Sequence, residues 1–232
     1  MTGMLGVLVN TLTVILGSTI GLIFKKGIPQ KVTGAAMTGI GLCNIYIGID
    51  GLMEGQNILI LIASTIIGVI IGTLLDIDGK INHLGDIVEK RFSKKDSKTP
   101  VAQGFVTASL LFCIGSMTIV GSLESGITGD NSMIYTKSLL DLISSSMLSA
   151  TLGYGVLLSS VFVAVFQGAL VLLAGLLKPL LTDMAIAEMI CSGSLIILAL
   201  GLNITGITKI KVADFLPAIF VAPIICFVIS LF

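Results

Sequence analysis

DLISSSMLSATLGYGVLLSSVFVAVFQGALVLLAGLLK, Asp141 to Lys178, holds 36 residues between its two terminal charges with no Asp, Glu, Lys or Arg among them. A helical bilayer crossing takes about 20 predominantly apolar residues. The stretch is too long for one ordinary span and slightly short for two. Two fit if the first starts near Tyr135, ahead of the quoted stretch, and the chain reverses at Gly153-Tyr154-Gly155, where glycine allows the dihedrals of a tight turn. Whether this is one span or a hairpin decides the orientation of everything after it.

Charge-free runs recur outward from this stretch: Met1 to Phe24, Val32 to Ile49, Gly55 to Leu75, Thr99 to Leu123, Met189 to Thr208 and Phe215 to Phe232. Together they predict an all-α, polytopic membrane helix bundle, a single integral membrane domain over 1–232. About eight spans are expected, near 5–24, 33–51, 56–76, 103–122, 136–153, 156–177, 186–206 and 212–231. Composition agrees. Hydrophobic residues make up 55% and charged residues 11%, against roughly 25% charged in soluble domains, and the mean hydropathy is +1.10. Formal net charge is zero, so there is no basic field for nucleic acid. Met1 to Phe24 lacks the basic start of a cleavable signal peptide and reads as a retained first span.

Cytoplasmic loops carry the excess of Lys and Arg. With eight spans, Lys25, Lys26, Lys31, Lys80, Lys90, Arg91, Lys94, Lys95, Lys98, Lys209 and Lys211 fall on one side, and only Lys137 and Lys178 on the other. Merging the fifth and sixth spans weakens the bias. Eight spans with both termini outside is the better fit. The longest hydrophilic segment, about 77–100, places Ile81, Leu84, Val88 and Phe92 at helical spacing beside Lys90, Arg91, Lys94 and Lys95. It reads as an amphipathic helix on the cytoplasmic leaflet, serving as a linker or as a docking element. His83, the one histidine, lies there and reads as solvated.

Cys43, Cys113, Cys191 and Cys226 are far apart, in apolar runs, and form no CxxC or Cys/His cluster, so they read as packing residues and no metal or cofactor is expected. The spans hold no histidine and no nucleophile–base pair, and the loops hold no GxxxxGK[ST], so enzymatic chemistry and ATP-driven pumping are disfavoured. Cys113 to Ile127 and Cys191 to Ile207 resemble each other, with Gly39 to Gly51 a weaker third copy. If spans one to three and six to eight are inverted copies, these are the Gly-interrupted helices that secondary transporters place at their binding site. Gly17xxxGly21 and Gly68xxxGly72 set small residues on one face for close helix contact, within the monomer or between copies.

An ionisable group inside a span marks function by default. Asp141 lies roughly 8–9 Å into a helix that starts near Tyr135, at about 1.5 Å per residue. Ser145 and Ser149 share its face. The stripe lines a cavity, or Asp141 pairs with Lys137 one turn back. Gln167, Asn203, Ser116, Thr118, Asn10 and Asn44 are the other polar residues of the spans. They serve as hydrogen-bonding glue between helices or as a solute or ion pathway. Glu124 and Asp130 would sit at its external mouth or in a solvated loop. Asp214 and Pro217 open the last span, and Pro223 lies within it.

Several short motifs recur in one known family: Val9-Asn10-Thr11 with Gly17-Ser18, Phe112 to Gly121, Lys137 to Asp141, Leu152 to Val156, Gln167-Gly168 and Gly201-Leu202-Asn203. Along essentially its whole length the chain resembles the uncharacterised bacterial inner-membrane proteins of the YdfK/YqgA type, a domain of unknown function. The resemblance implies a multispanning bacterial membrane protein, described in places as a candidate transporter, and carries over no substrate and no catalytic residue. The expectation is a transporter or channel for a small solute or ion. Its partners would be the bilayer, that solute, and a second copy of the chain. The alternative is a scaffold or regulator that docks a partner through 77–100.

Overall fold

Lipid offers no hydrogen bonds to the backbone, so apolar runs of this length satisfy their own N–H and C=O groups as helices. The computed structural model describes residues 3–25, 30–92, 101–114, 116–177 and 180–230, and every regular element among them is helical. In chain order they are α1 (Gly3–Lys25), α2 (Gln30–Leu52), α3 (Ile58–Leu74), α4 (Ile77–Phe92), α5 (Val101–Cys113), α6 (Ser116–Thr128), α7 (Ser132–Leu152), α8 (Tyr154–Leu172), α9 (Ala174–Leu177), α10 (Asp183–Ile204) and α11 (Ala218–Ile229). A single 3₁₀ turn, Val212–Phe215, precedes α11.

Among the described residues, five helices are long and apolar enough to cross a bilayer, or seven if each of two bent pairs is one span. The bent pairs are α3 with the start of α4, at 53°, and α5 with α6, at 58°. The helix α7 is long enough at 21 residues but is not in that set, because Lys137, Asp141 and its serines lower its hydropathy.

Contacts cluster the chain into two compact units, each assembled from separated stretches: Met1–Thr33 with Asn82–Leu177, and Gly34–Ile81 with Lys178–Phe232. In the first unit, α1 lies against α7 and α8. Gly6, Gly17 and Gly21 meet Asn131 and Ile134, then Leu142 and Ser145, then Ser146 and Ser149, so α7 runs parallel to α1. Gly3 faces Val171, Met4 lies near Gly168, and Asn10 bonds Gln167, so α8 runs the other way. The chain therefore reverses between α7 and α8, through Gly153 alone, at φ +80° and ψ −148°. A side chain is strained at such dihedrals, whereas glycine is not. This is the hairpin that two helices need to fit within the 36-residue run. Phe105 of α5 meets Phe162 of α8 edge to face at 6.1 Å between centroids, and Phe162 stacks on Phe166 of the same helix at 6.0 Å.

In the second unit, α2 runs antiparallel to α10: Gly41 meets Thr205, Gly48 meets Leu198, Gly51 meets Ser194 and Gly55 meets Cys191. On α3, Gly68 and Gly72 accept the backbone of Ala218 and Asp214. Both Gly-x-x-x-Gly pairs are thus occupied by helices of the same chain. Ile60, Ala185, Ala222 and Cys226 form an apolar core where α3, α10 and α11 meet. Of the two similar stretches, only Cys113–Ser116 interrupts a helix. Through Cys191 and Gly201, α10 continues unbroken to Ile204, because Gly201 packs against the carbonyl oxygen of Gly41 and the amide of Ile45 rather than opening the backbone.

Candidate functional site

In the first unit α7 presents a buried polar stripe, Lys137, Ser138, Asp141, Ser145 and Ser149. Lys137 Nζ donates to Asp141 Oδ2 one turn away, and both side chains are only 8% exposed. The pair is buried within the unit, not laid along a rim. Lys137 Nζ also sits 5.9 Å from the centroid of the Phe112 ring, at the end of α5, within cation–π range. Cys113, also buried, is close enough to feel both charges.

From α1, Asn10 lies beside the Asp141 carboxylate and donates from Nδ2 to Gln167 Oε1 on α8 at 3.1 Å. Asn10 and Gln167 are fully buried, yet Asn10 Oδ1 and Gln167 Nε2 have no hydrogen-bond partner. Turning both amides over exchanges their oxygens and nitrogens but still leaves one acceptor and one donor unused. Ser18 on α1, Ser122 on α6 and Ser109 on α5 add three more unpartnered buried hydroxyls. At the α5–α6 bend, Thr118 Oγ1 donates across the break to the Phe112 carbonyl at 2.9 Å, satisfying an oxygen that the interrupted helix leaves open.

This centre unites Asn10, Asp141, Gln167 and Thr118 with Lys137, which sequence reasoning treated only as a competing partner. Ser145 and Ser149 share the face of Asp141, but they abut Gly17 and Gly21 and bond carbonyls of their own helix, Leu142 and Ser146. They are close-contact residues between α1 and α7. Ser116 opens α6 with its side chain outside the described residues, as is Gly115. Glu124 is exposed. Asp130 is exposed and accepts from the hydroxyl and backbone N–H of Ser132, at 2.6 and 2.9 Å. Those two bonds hold its carboxyl below the usual range, and they fasten the start of α7. Next to that end of the unit, a cavity of about 440 Å³ opens between Gly3, Met4, Ser125, Gly126 and Val171.

Asn44 and Asn203 belong to the second unit. Asn203 is spent on a turn: its Nδ2 donates to the Ile210 carbonyl at 2.7 Å, and its Oδ1 accepts from Thr208 Oγ1 and Ile210 N. Asn44 is buried with Nδ2 unpartnered. Lys94, Lys95, Lys98 and Lys178 lie outside the described residues.

Sequence reasoning missed one acidic residue here, Glu188, and read a second, Asp214, only as a helix start. Glu188 on α10 is fully buried, and its Oε1 accepts from the backbone N–H groups of Gln56 and Asn57, both at 2.7 Å, just before α3. It lay just inside the seventh expected span, where an ionisable group is itself a signal. Asp214, 3% exposed, accepts from the Asp78 N–H in the first turn of α4 at 2.9 Å. Among the described residues no three His, Cys, Asp or Glu side chains are grouped to hold a metal ion.

The chain is 34% identical to the uncharacterised membrane protein YdfK of Bacillus subtilis (strain 168), over 99% of this chain and 98% of that one. It is 28% identical to the uncharacterised protein YqgA of Escherichia coli (strain K12), over 94% of each. No solved structure matches it. The helices and these relatives make it a multi-pass integral membrane protein. A family profile covers residues 5–227, nearly the whole length, and the chain belongs to that family, described as a protein of unknown function (DUF554).

Proposed function

We propose that this protein is a transporter or channel for a small solute or ion, coupled to protons or cations. It would reside in the bacterial inner membrane with both termini outside, and would not be an enzyme. The observation that carries this reading is the buried centre of the first unit. There a bent helix pair, a charge pair and two half-satisfied amides converge from α1, α5–α6, α7 and α8. Burying an ion pair costs several kcal/mol per ion, and apolar side chains of like volume are often as stable or more so. Each orphaned polar group costs about 1–3 kcal/mol more. A bundle made only to fold has no use for this arrangement, whereas a pathway does. The Lys137–Asp141 pair has no net charge, so the centre suits either a polar neutral solute or an ion that displaces one partner.

The test is flux in proteoliposomes, with a trapped pH dye and imposed proton, sodium or potassium gradients. Wild type should dissipate at least one gradient. The double variant Lys137→Met/Asp141→Leu removes both charges together, which avoids stranding one of them. It should fold and lose flux by roughly tenfold or more, a barrier change of about 1.4 kcal/mol per tenfold. Flux equal to wild type in that variant would remove the pair from the mechanism.

One observation favours a second reading, a scaffold that docks a partner through 77–100: α4 forms as a helix held at its start by Asp214, and its Ile87 is 48% exposed. Deleting 82–100 separates the two. A scaffold loses its partner, while a transporter keeps its flux.

A further inference from the structure

The cavity of the first unit lies where α1 begins and where α6 and α8 end, with Gly3, Ser125 and Val171 on its wall. Each of these helices carries a bare polar atom deeper along the face that reaches the cavity. On α1, Asn10 follows Gly3 by seven residues, two turns along one face. On α6, Ser122 precedes Ser125 by three, and on α8, Gln167 precedes Val171 by four. These steps are roughly 10, 5 and 6 Å along the helices, at about 1.5 Å per residue. Asn10 Oδ1, Ser122 Oγ and Gln167 Nε2 are buried and have no hydrogen-bond partner. The three helices touch at the upper level: the Gly3 carbonyl accepts the Ser125 hydroxyl at 2.9 Å, and a Cβ on Gly3 would lie 3.1 Å from Val171 Cγ1. At the lower level Asn10 Nδ2 ties α1 to α8 again through Gln167 Oε1. What separates the levels is apolar. Val7, 2% exposed, stands between Gly3 and Asn10 on α1. Met4 lines the cavity, and its Cε reaches Gly168, the residue after Gln167. A Cβ at Gly168 would meet that methyl at 3.7 Å, and no other helix among the described residues comes within 4 Å of it. A thioether side chain is unbranched and repacks readily, so Met4 is a movable stopper beside the gap that Gly168 leaves.

The hydrogen-bonding inventory of the lower level sets the chemistry that fits it. It offers one amide acceptor, one amide donor and a hydroxyl that serves as either. A bare cation there would leave the donor unused, and a bare anion the acceptor. The Lys137–Asp141 pair beside it carries no net charge. We infer that the cavity is the entrance to the buried centre, and that the solute taken there is small and uncharged, with a donor and an acceptor on one head group: a primary amide, a urea or an alcohol. Such a group satisfies Asn10 Oδ1 and Gln167 Nε2 together, and Met4 moves aside to admit it. This names the solute of the transport reading above and rests on it, so solute flux and ion flux are measured separately.

The experiment uses the full chain in proteoliposomes, with urea, acetamide or glycerol added outside in a stopped-flow mixer, with and without the ion gradients used above. Light scattering rises as the vesicles shrink and falls back as solute enters. Wild type should re-swell severalfold faster than protein-free vesicles with at least one of these solutes. Met4→Ala removes the stopper, leaves every polar group in place, and should speed re-swelling severalfold further, which a lost packing contact alone does not do. Ile127→Trp, at a 44% exposed position on the cavity wall, should slow it toward the protein-free rate. Wild type at the protein-free rate with every solute, while an ion gradient still dissipates, would overturn the uncharged-solute assignment and leave the transport reading standing. Dissipation of neither would overturn both. Faster shrinkage without solute entry means that the centre passes water alone, and overturns the assignment too. Solute entry indifferent to Met4→Ala and Ile127→Trp would overturn the cavity as the entrance. The wild-type comparison needs no variant, so it decides the assignment even if either variant fails to fold.

Discussion

Gly17 and Gly21 on α1 are where single atoms matter most in the first unit. A Cβ at Gly17 would collide with the Leu142 carbonyl and Ser145 Oγ, and one at Gly21 with the Ser146 carbonyl and Ser149 Oγ. Two of those obstacles are backbone, which cannot turn aside. Gly39 on α2 has nothing within 4 Å of the same position. Gly17→Ala should therefore destabilise by about 1–3 kcal/mol through overpacking. Gly39→Ala should be neutral or stabilising by up to about 1 kcal/mol through helix propensity. Detergent melting curves of the two variants check this, and equal Tm values would mean α1 is not seated on α7 as described. The Gly-x-x-x-Gly spacing showed which residues permit close approach. It did not show what approaches, because spacing along one helix holds no information about its neighbour.

Two helix starts in the second unit are held by acids distant in sequence: α3 by Glu188, and α4 by Asp214. Each helix begins with orphan N–H groups, and a carboxylate there satisfies both hydrogen bonding and the helix dipole. Asp214 also has its backbone against Gly72, so the α3–α4 bend and the 3₁₀ turn lock together. Asp214→Ala should loosen the start of α4. Trypsin should then cut after the exposed Lys80 severalfold faster than in wild type, with the rest of the chain protected. An unchanged cleavage rate would show that α4 is held by other contacts. The helix α4 itself was legible from Ile81, Leu84, Val88 and Phe92, but its anchor was not, since no periodicity links residue 78 to residue 214.

At the scale of the molecule, each unit is built from an early and a late part of the chain, so neither is complete until most of the chain is made. The parallel course of α1 and α7, with α8 reversed, makes a definite topological prediction. Reporters fused at residue 96 and after Gly206 should read cytoplasmic, and reporters after Gly129 and at the C-terminus should read exported. A cytoplasmic C-terminus would mean that α7 and α8 do not cross separately, and would refute the eight-span arrangement. Sequence alone determined the class of this protein and its lipid environment, because apolar length and charge spacing are local quantities and a bilayer responds to them segment by segment. The tight turn at Gly153 was legible for the same reason. Only the tertiary structure decided which polar groups act together. It drew Asn10, Lys137, Asp141 and Gln167 into one buried centre, spent Asn203 on a turn, and set Glu188 against a helix start more than a hundred residues away. Those outcomes depend on which helices become neighbours, and that is settled by packing between distant segments, of which a linear pattern carries no record.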